Sequence, residues 1–407
     1  MSTRLQIPPF WEKLLKRYVK KTFYAGTRKA DFADRETFTE GDYRFFAKGV
    51  QKLNLGFTEE RGSLPRNYLN QKDLRSGYLL YFLPVNALKV AALLTQNDCL
   101  KEALSLSSRP WTVLDIGSGP GTGMLGTILA LERLLQNHPV VKHLPLRFRW
   151  ILVDLNRQAL HDACTLHDEA IRHLREVYPQ WEIYSECETI IGDLASFGTR
   201  KYGKADLILA LNLLGELPRQ HRLSLVERLL RHHLHPEGRL LLLEPALQRT
   251  TRELMELHDE MVNRNSGRVY APCLHQARCP MLAANRRDWC HTYLEWERPD
   301  WIARLDQLVG IRKDYLKCSY LLLGSRKGAD IVSPQTWRVV SGHLNSKGKS
   351  ELLLCGPGSL PRLKRVNRLD RDRSEVNREF DRVQRGDIVQ VFCEERIYSD
   401  TSIRTIR

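Results

Sequence analysis

Apolar positions change their spacing twice along this chain. Through about residue 108 they recur at helical intervals, and the strongly apolar stretch 78–94 is interrupted by Pro84, which predicts two helices or a kinked one. Residues 63–70 form a polar break. From about Thr112, short apolar runs alternate with longer amphipathic stretches. The runs predict strands over 112–116, 148–154, 188–191, 206–211 and 239–244, with helices over 122–137, 157–178 and 219–233 between them. That alternation predicts an α/β fold, a parallel sheet with covering helices. Further helices are predicted over 248–263 and 299–309, and a last strand over 319–324. From about Ile331 the pattern shortens again, with β-like runs at 337–340, 351–354 and 387–392 separated by turn residues. A small β-barrel or β-hairpin appendage is expected there. The chain therefore divides into an N-terminal helical region (1–108), an α/β domain (109–328) and a β-rich C-terminal domain (329–407). With 407 residues and 42% hydrophobic content, two or three folded units are expected rather than disorder. No internal repeat or low-complexity segment is visible.

The stretch 113–123 carries the most chemistry. Val113, Leu114 and Ile116 suit a buried parallel strand, and Gly117, Gly119 and Gly121 can turn the backbone tightly and let it approach a ligand. The helix from about Thr122 would aim its positive end at that ligand. A literal G-x-G-x-x-G also occurs, at Gly121, Gly123 and Gly126, but it starts too late after the strand for a dinucleotide fingerprint, and its third glycine falls inside the helix. The loop that follows the strand directly is Asp115-x-Gly117-Ser118-Gly119-x-Gly121.

An acidic residue two places before the first glycine resembles the pattern of class I S-adenosylmethionine-dependent methyltransferases. The resemblance implies a Rossmann-like sheet. It also implies Asp154 on the ribose hydroxyls, Asp193 on the adenine amino group and Asn212 at the mouth of the site. Taken singly, Asp154 and Asp193 also suit helix caps. Catalytic residues are not assigned. After the fourth strand the chain reads Asn212-Leu-Leu-Gly-Glu-Leu-Pro218, which lacks the Asn/Asp-Pro-Pro-aromatic loop of many amino-group methyltransferases. No cysteine nucleophile stands at the ends of strands four or five. Glu216 could serve as a base, or lie exposed where the next helix begins.

Nine cysteines without a secretory signal are expected to be free thiols or metal ligands rather than disulfides. Cys99, Cys164 and Cys187 sit singly and read as core thiols. Cys273, Cys279 and Cys290 fall within eighteen residues, with proline flanks, at spacing Cys-x5-Cys-x10-Cys. Zinc or an iron–sulfur cluster suits such a thiolate loop, and three unrelated thiols is the competing reading. A fourth ligand would come from Cys355, Cys318, His275 or His291; Cys355, before Gly-Pro-Gly, is freest to reach a loop, and Cys318 lies in a predicted strand.

The motif Cys273-x-His275-x3-Cys279-Pro280, with Trp289-Cys290 and Lys317-Cys-Ser-Tyr-Leu321, resembles the Rsm-twenty-two family of small-ribosomal-subunit assembly methyltransferase-like proteins from mitochondria and bacteria. The likeness runs from Tyr78-Leu-Leu-Tyr-Phe-Leu-Pro-Val-Asn86 to Leu354-Cys-Gly-Pro-Gly358. It implies a class I methyltransferase fold with a cysteine-rich, metal-binding insertion at 270–297. It further implies a four-iron–four-sulfur cluster on Cys273, Cys279, Cys290 and Cys355, with zinc as the alternative. The implied role of the cluster is structural, because methyl transfer to a nucleophile needs no electron.

Net charge is +15, from 63 Lys and Arg against 48 Asp and Glu, which favours a polyanionic partner. Arginines cluster at Arg362, Arg365, Arg368, Arg371, Arg373 and Arg378; interleaved acids make a solvated helix face the competing reading there. No apolar run of roughly 18 residues is expected to span a bilayer. Residues 10–23 form a basic amphipathic segment, read as a docked helix rather than a mitochondrial address because of Glu12. The expected setting is the bacterial cytoplasm, or the mitochondrial matrix in a eukaryote. The expected protein binds S-adenosylmethionine and acts on the small ribosomal subunit and its 16S-type rRNA, by methylation or as a non-catalytic assembly factor. A small-molecule methyltransferase with an incidental metal site is the third reading.

Overall fold

The computed structural model describes residues 4–24, 37–58, 64–65, 67–104, 109–137, 145–192, 202–325 and 333–406. The chain divides into two compact units, one of Met1–Tyr202 with Leu294–Leu316, the other of Gly203–Tyr293 with Lys317–Arg407.

The first unit opens with helices α1 (Pro9–Tyr24), α2 (Glu40–Thr58), α3 (Lys72–Gly77) and α4 (Leu83–Gln96). On α1 the residues Trp11, Leu14, Leu15, Val19 and Phe23 are buried, so it docks by one face. Pro84 does not break the apolar stretch. A π-helical turn at Tyr78–Phe82 joins α3 to α4 just ahead of it, with the Leu83 N–H donating to Tyr78 O, so the irregular turn takes up the proline. The resulting helical run Lys72–Gln96 is 25 residues long, with mean hydropathy 1.5 in its most apolar 18-residue window. It is long and apolar enough to cross a membrane by length and composition, contrary to the expectation from sequence; 78% of that window is buried within the protein. Strand β1 (Trp111–Ile116) is buried throughout and leads into α5 (Thr122–Asn137). Then come β2 (Leu146–Asp154), α6 (Arg157–Val177) and β3 (Ile183–Ile191). The three strands are parallel in the order β3-β2-β1, with Asp115 beside Leu152 and Asp154 beside Ile191.

The second unit begins with β4 (Ala205–Leu211), α7 (Arg219–Arg228) and β5 (Leu234–Pro245). It continues through α8 (Gln248–Arg264), β6 (Arg268–Ala271) and α9 (Pro280–Ala284) to β7 (Thr292–Glu295), where the chain passes back to the first unit. There it forms α10 (Asp300–Val309) and returns through β8 (Tyr315–Gly324). β4 and β5 are parallel, but β8 runs antiparallel to β5, and β6 antiparallel to β8. The fold is therefore α/β and Rossmann-like with a mixed sheet, which corrects the all-parallel expectation.

The remaining strands are β9 (Thr336–Val339), β10 (Leu344–Ser346), β11 (Lys349–Cys355), β12 (Leu363–Leu369), β13 (Ile388–Val391), β14 (Arg396–Ile397) and β15 (Ile403–Ile406). They join in the order β14-β12-β11-β9-β13-β15, with β10 on β11, over a core that includes Trp337, Leu354, Val366, Phe380 and Val389. The arginine run is no helix face: its first half is β12, where Arg368 is buried and bound to Asp381 and Asn377.

Candidate functional site

β1 ends at Ile116 and the chain turns through three left-handed glycines, Gly117 (φ 65°), Gly119 (φ 53°) and Gly121 (φ 82°). Any L side chain would be strained there. The turn is tied down by its own backbone. Gly117 and Ser118 N–H donate to the Val153 carbonyl at 2.8 and 3.1 Å, and Gly121 N–H to Ser118 O at 2.9 Å. At Gly119 the space a Cβ would enter holds no atom within 4 Å, so the backbone is open on that side.

Two carboxylates flank this loop. Asp115, buried in β1, accepts the Met124 N–H on Oδ2 at 3.0 Å, while its buried Oδ1 has no partner. Burial pushes its carboxyl up to about 7, against the pull of the Met124 and Gly123 amides; the Asp154 charge adds to the rise. Asp154 ends β2 and spans from loop to helix: Oδ2 accepts Gly119 N–H and Oδ1 accepts Asn156 N–H, each at 2.8 Å. Burial raises its pKa, offset by those two amides. Asn156 caps α6 through Ala159 N–H (2.9 Å) and donates to Asn70 Oδ1 (3.0 Å). The structure thus brings Asp115, Gly117, Ser118, Gly119, Gly121 and Asp154 to one rim. Asp193 lies outside the described residues.

In the second unit, Asn212 follows β4 with a left-handed φ of 56° and donates its N–H to Leu243 O at 2.7 Å. Glu244, buried at the end of β5, accepts Leu214 N–H at 2.8 Å. Glu216 is exposed.

The cysteines occupy the same unit. Cys273 follows β6, Cys279 precedes α9, Cys290 precedes β7 and Cys355 ends β11. All four line one cavity of about 40 Å³, together with His275 and Arg338. Burial pushes the Cys279 thiol up to about 12, and raises Cys273 and Cys355 as well. His275 stands 3.9 Å from Cys355 by Nε2 and bonds the Ala277 carbonyl by Nδ1 (3.0 Å). Cys318 is fully buried in β8. Among the described residues no group of three or more His, Cys, Asp and Glu side chains is gathered as a metal-holding set.

Two contributors had no sequence signal. Arg338, on β9, is buried at the cysteine cavity, with Nη2 on Thr292 Oγ1 (2.6 Å), Nη1 on Gly386 O (3.2 Å) and no partner for Nε. Tyr78 lies 3.3 Å by its hydroxyl from Thr122 Oγ1, at the start of α5. Each comes from a distant stretch of chain, beyond the reach of spacing.

The family described as "Mitochondrial small ribosomal subunit Rsm22" matches residues 77–368. The chain belongs to the Rsm22 family. That match takes in the glycine loop, both flanking carboxylates and all four cavity cysteines. No curated protein matches the chain. Among solved structures it is similar to magnesium protoporphyrin IX methyltransferase (ChlM) from Synechocystis PCC 6803 with bound SAH, at 12% identity and TM-score 0.34, covering 64% of this chain and 97% of that one. It is also similar to the plantazolicin methyltransferase BpumL in complex with SAH (14% identity, TM-score 0.28, 78% of this chain and 98% of that one). A third is the mitomycin 7-O-methyltransferase MmcR (17% identity, TM-score 0.31, 60% of this chain and 68% of that one).

Proposed function

We propose that this Rsm22-family protein binds S-adenosylmethionine and works on the small ribosomal subunit through its rRNA. The carrying observation is the rim itself: a buried carboxylate oxygen without a partner on Asp115, a left-handed glycine turn open at Gly119, and Asp154 fixed beside it. That donor set suits a cationic, ribose-bearing ligand. Carboxylates accept from ammonium and hydroxyl groups, and the open backbone lets the ligand close in. Asp115, Gly117, Ser118, Gly119, Gly121 and Asp154 would hold the methyl donor, with Asp193 added by resemblance. When bound, the donor supplies an electrophilic methyl group; the residues named here bind and orient it. Calorimetry on ligand-stripped protein should show binding of S-adenosylmethionine or S-adenosylhomocysteine. Asp154→Ala should weaken it by about tenfold or more, the scale of a hydrogen bond to a charged group. No heat with either compound overturns the reading.

A second reading is a non-catalytic assembly factor that keeps the donor fold. It is favoured by the second unit, where the Leu214 amide engages Glu244 at the end of β5 and Glu216, after β4, is exposed. Labelled-methyl transfer to immature small subunits separates the two: incorporation supports catalysis, and its absence with intact donor binding supports assembly alone.

Cys273, Cys279, Cys290 and Cys355 would hold a four-iron–four-sulfur cluster, with zinc as the alternative. Supporting this are one shared cavity, an apolar surround of Met255, Met281 and Val340, and a buried guanidinium at Arg338 to offset thiolate charge. Such a cluster would be structural and would hold the loop after β6 against β11. Cys290→Ser, purified anaerobically, should lose brown colour and most of its iron, whereas Cys393→Ser, outside the cavity, should keep both. A colourless wild-type protein with one zinc overturns the cluster in favour of zinc.

A further inference from the structure

Cys164 on α6 and Cys187 on β3 are 23 positions apart in the chain, yet the fold sets their sulfurs 3.7 Å from each other. Neither belongs to the cysteine cavity of the second unit. Two further bonds hold the pair in register. His167 Nε2 meets Ser185 Oγ at 2.7 Å, and Arg175 Nε donates to the Ile183 carbonyl at 2.8 Å. Going up α6 through 164, 167 and 175, the partners on β3 descend through 187, 185 and 183, so helix and strand lie antiparallel. Ser185 and Cys187 are two apart on the strand and share a face. Ser185 is also held from β2, by Trp150 Nε1 at 2.8 Å. The thiols are thus opposed by the placement of two whole elements, not by one mobile side chain.

A disulfide bond is about 2 Å long, so closure needs an approach of roughly 1.7 Å by two short side chains. Both cysteines are half-buried, which leaves the pair open to a small oxidant. Burial raises both thiols above their ordinary value, and the Cys187 S–H steadies a thiolate on Cys164. That assigns attack to Cys164 and resolution to Cys187, and it keeps the reduced pair slow to react. Among the described residues β3 is the edge of its sheet, paired with β2 alone. A crosslink here would fasten that edge to the helix that covers it.

We propose that Cys164 and Cys187 form a dithiol that oxidation closes to a reversible disulfide, stapling edge strand β3 to α6. The oxidant is a small-molecule disulfide. The Cys164 thiolate attacks one of its sulfurs and expels a thiolate, giving a mixed disulfide. Cys187 then loses its proton and attacks the Cys164 sulfur, expelling the second thiolate. The two protein thiols give up two protons and two electrons, and the small disulfide is reduced to two thiols.

The test treats the full chain with oxidised glutathione, blocks the remaining thiols with an alkylating reagent and maps the peptides by mass spectrometry. A Cys164–Cys187 crosslink should form and should disappear with dithiothreitol. Cys187→Ser should instead leave glutathione on Cys164. Hydrogen exchange over Ile183–Ile191 should slow severalfold in the oxidised wild type and stay unchanged in Cys187→Ser. If Cys187→Ser does not fold by circular dichroism, Cys164→Ser takes its place and should lack both the crosslink and the slowed exchange. Cys164 and Cys187 recovered as separate peptides, alkylated or each carrying glutathione, would overturn the dithiol. A crosslink that leaves β3 exchange as it was would overturn the staple.

Discussion

Asp115 sits in an environment far from that of a free side chain. It is 1% exposed, one oxygen is engaged by Met124 N–H, and the other has no partner. Burial holds its carboxyl at about 7, against an ordinary value near 4, so the folded protein keeps a proton there that the unfolded chain releases. Its contribution to stability is complete below about pH 4 and is lost as pH rises to about 7. Ligand-free protein should therefore lose more unfolding free energy between about pH 5 and pH 7.5 than Asp115→Asn does, as read by urea denaturation at each pH. Equal losses in the two proteins would show that Asp115 is ionised throughout. This residue was legible in the sequence because its partners are local: the carboxylate, the glycines and the Met124 amide lie within ten positions. Arg338 and Tyr78 were not, since only folding brings them to their sites.

At the scale of elements, legibility followed period and length. β1, α5 and α6 were readable because each is long or uniformly apolar. β12 was not. In Leu363-Lys-Arg-Val-Asn-Arg-Leu369 the apolar residues recur every third position, as on a helix, yet the chain is extended and buries Lys364, Val366 and Arg368 on one side. The aliphatic stems of Lys364 and Arg368 fill that side, and Arg368 meets Asp381 with its head. The antiparallel direction of β8 was hidden as well, because a doubly buried strand reads the same in either sense. One glycine marks an element contact that the sequence held without revealing its purpose. A Cβ on Gly126 of α5 would stand 2.6 Å from the Ala87 carbonyl and 2.7 Å from Val90 Cβ, both on α4. The two helices touch backbone to backbone there. Gly126→Ala should destabilise the protein by ~1–3 kcal/mol through overpacking, despite alanine's better helix propensity. A variant as stable as wild type in denaturant would mean that the helices separate freely.

For the whole molecule, charge is the property most open to misreading. The late arginines look like a cationic strip in the sequence, but Arg362 meets Glu394 at 3.0 Å, Arg373 meets Asp381 at 3.2 Å and Arg378 meets Glu375 at 3.0 Å. Pairs of this kind already have a counter-charge and contribute little to stability. Just over half of the basic excess lies elsewhere, with 19 Lys and Arg against 11 Asp and Glu in residues 1–110. On α1, Lys13, Arg17 and Lys21 are exposed at four-residue spacing, so they line one solvent face while Leu14, Leu15 and Val19 are buried. RNA held by such a surface should release counterions, with log affinity falling linearly against log salt. The Lys13→Glu/Lys21→Glu pair should weaken binding evenly across RNA sequences and reduce the salt slope by about one to two, since each lysine lost removes up to one phosphate contact. Arg373→Ala/Arg378→Ala should change the slope less if the α1 face, and not the late arginines, meets phosphate. If instead the late-arginine pair flattens the salt dependence and the α1 pair leaves it intact, the RNA lies against β12 and the turns that follow it rather than α1.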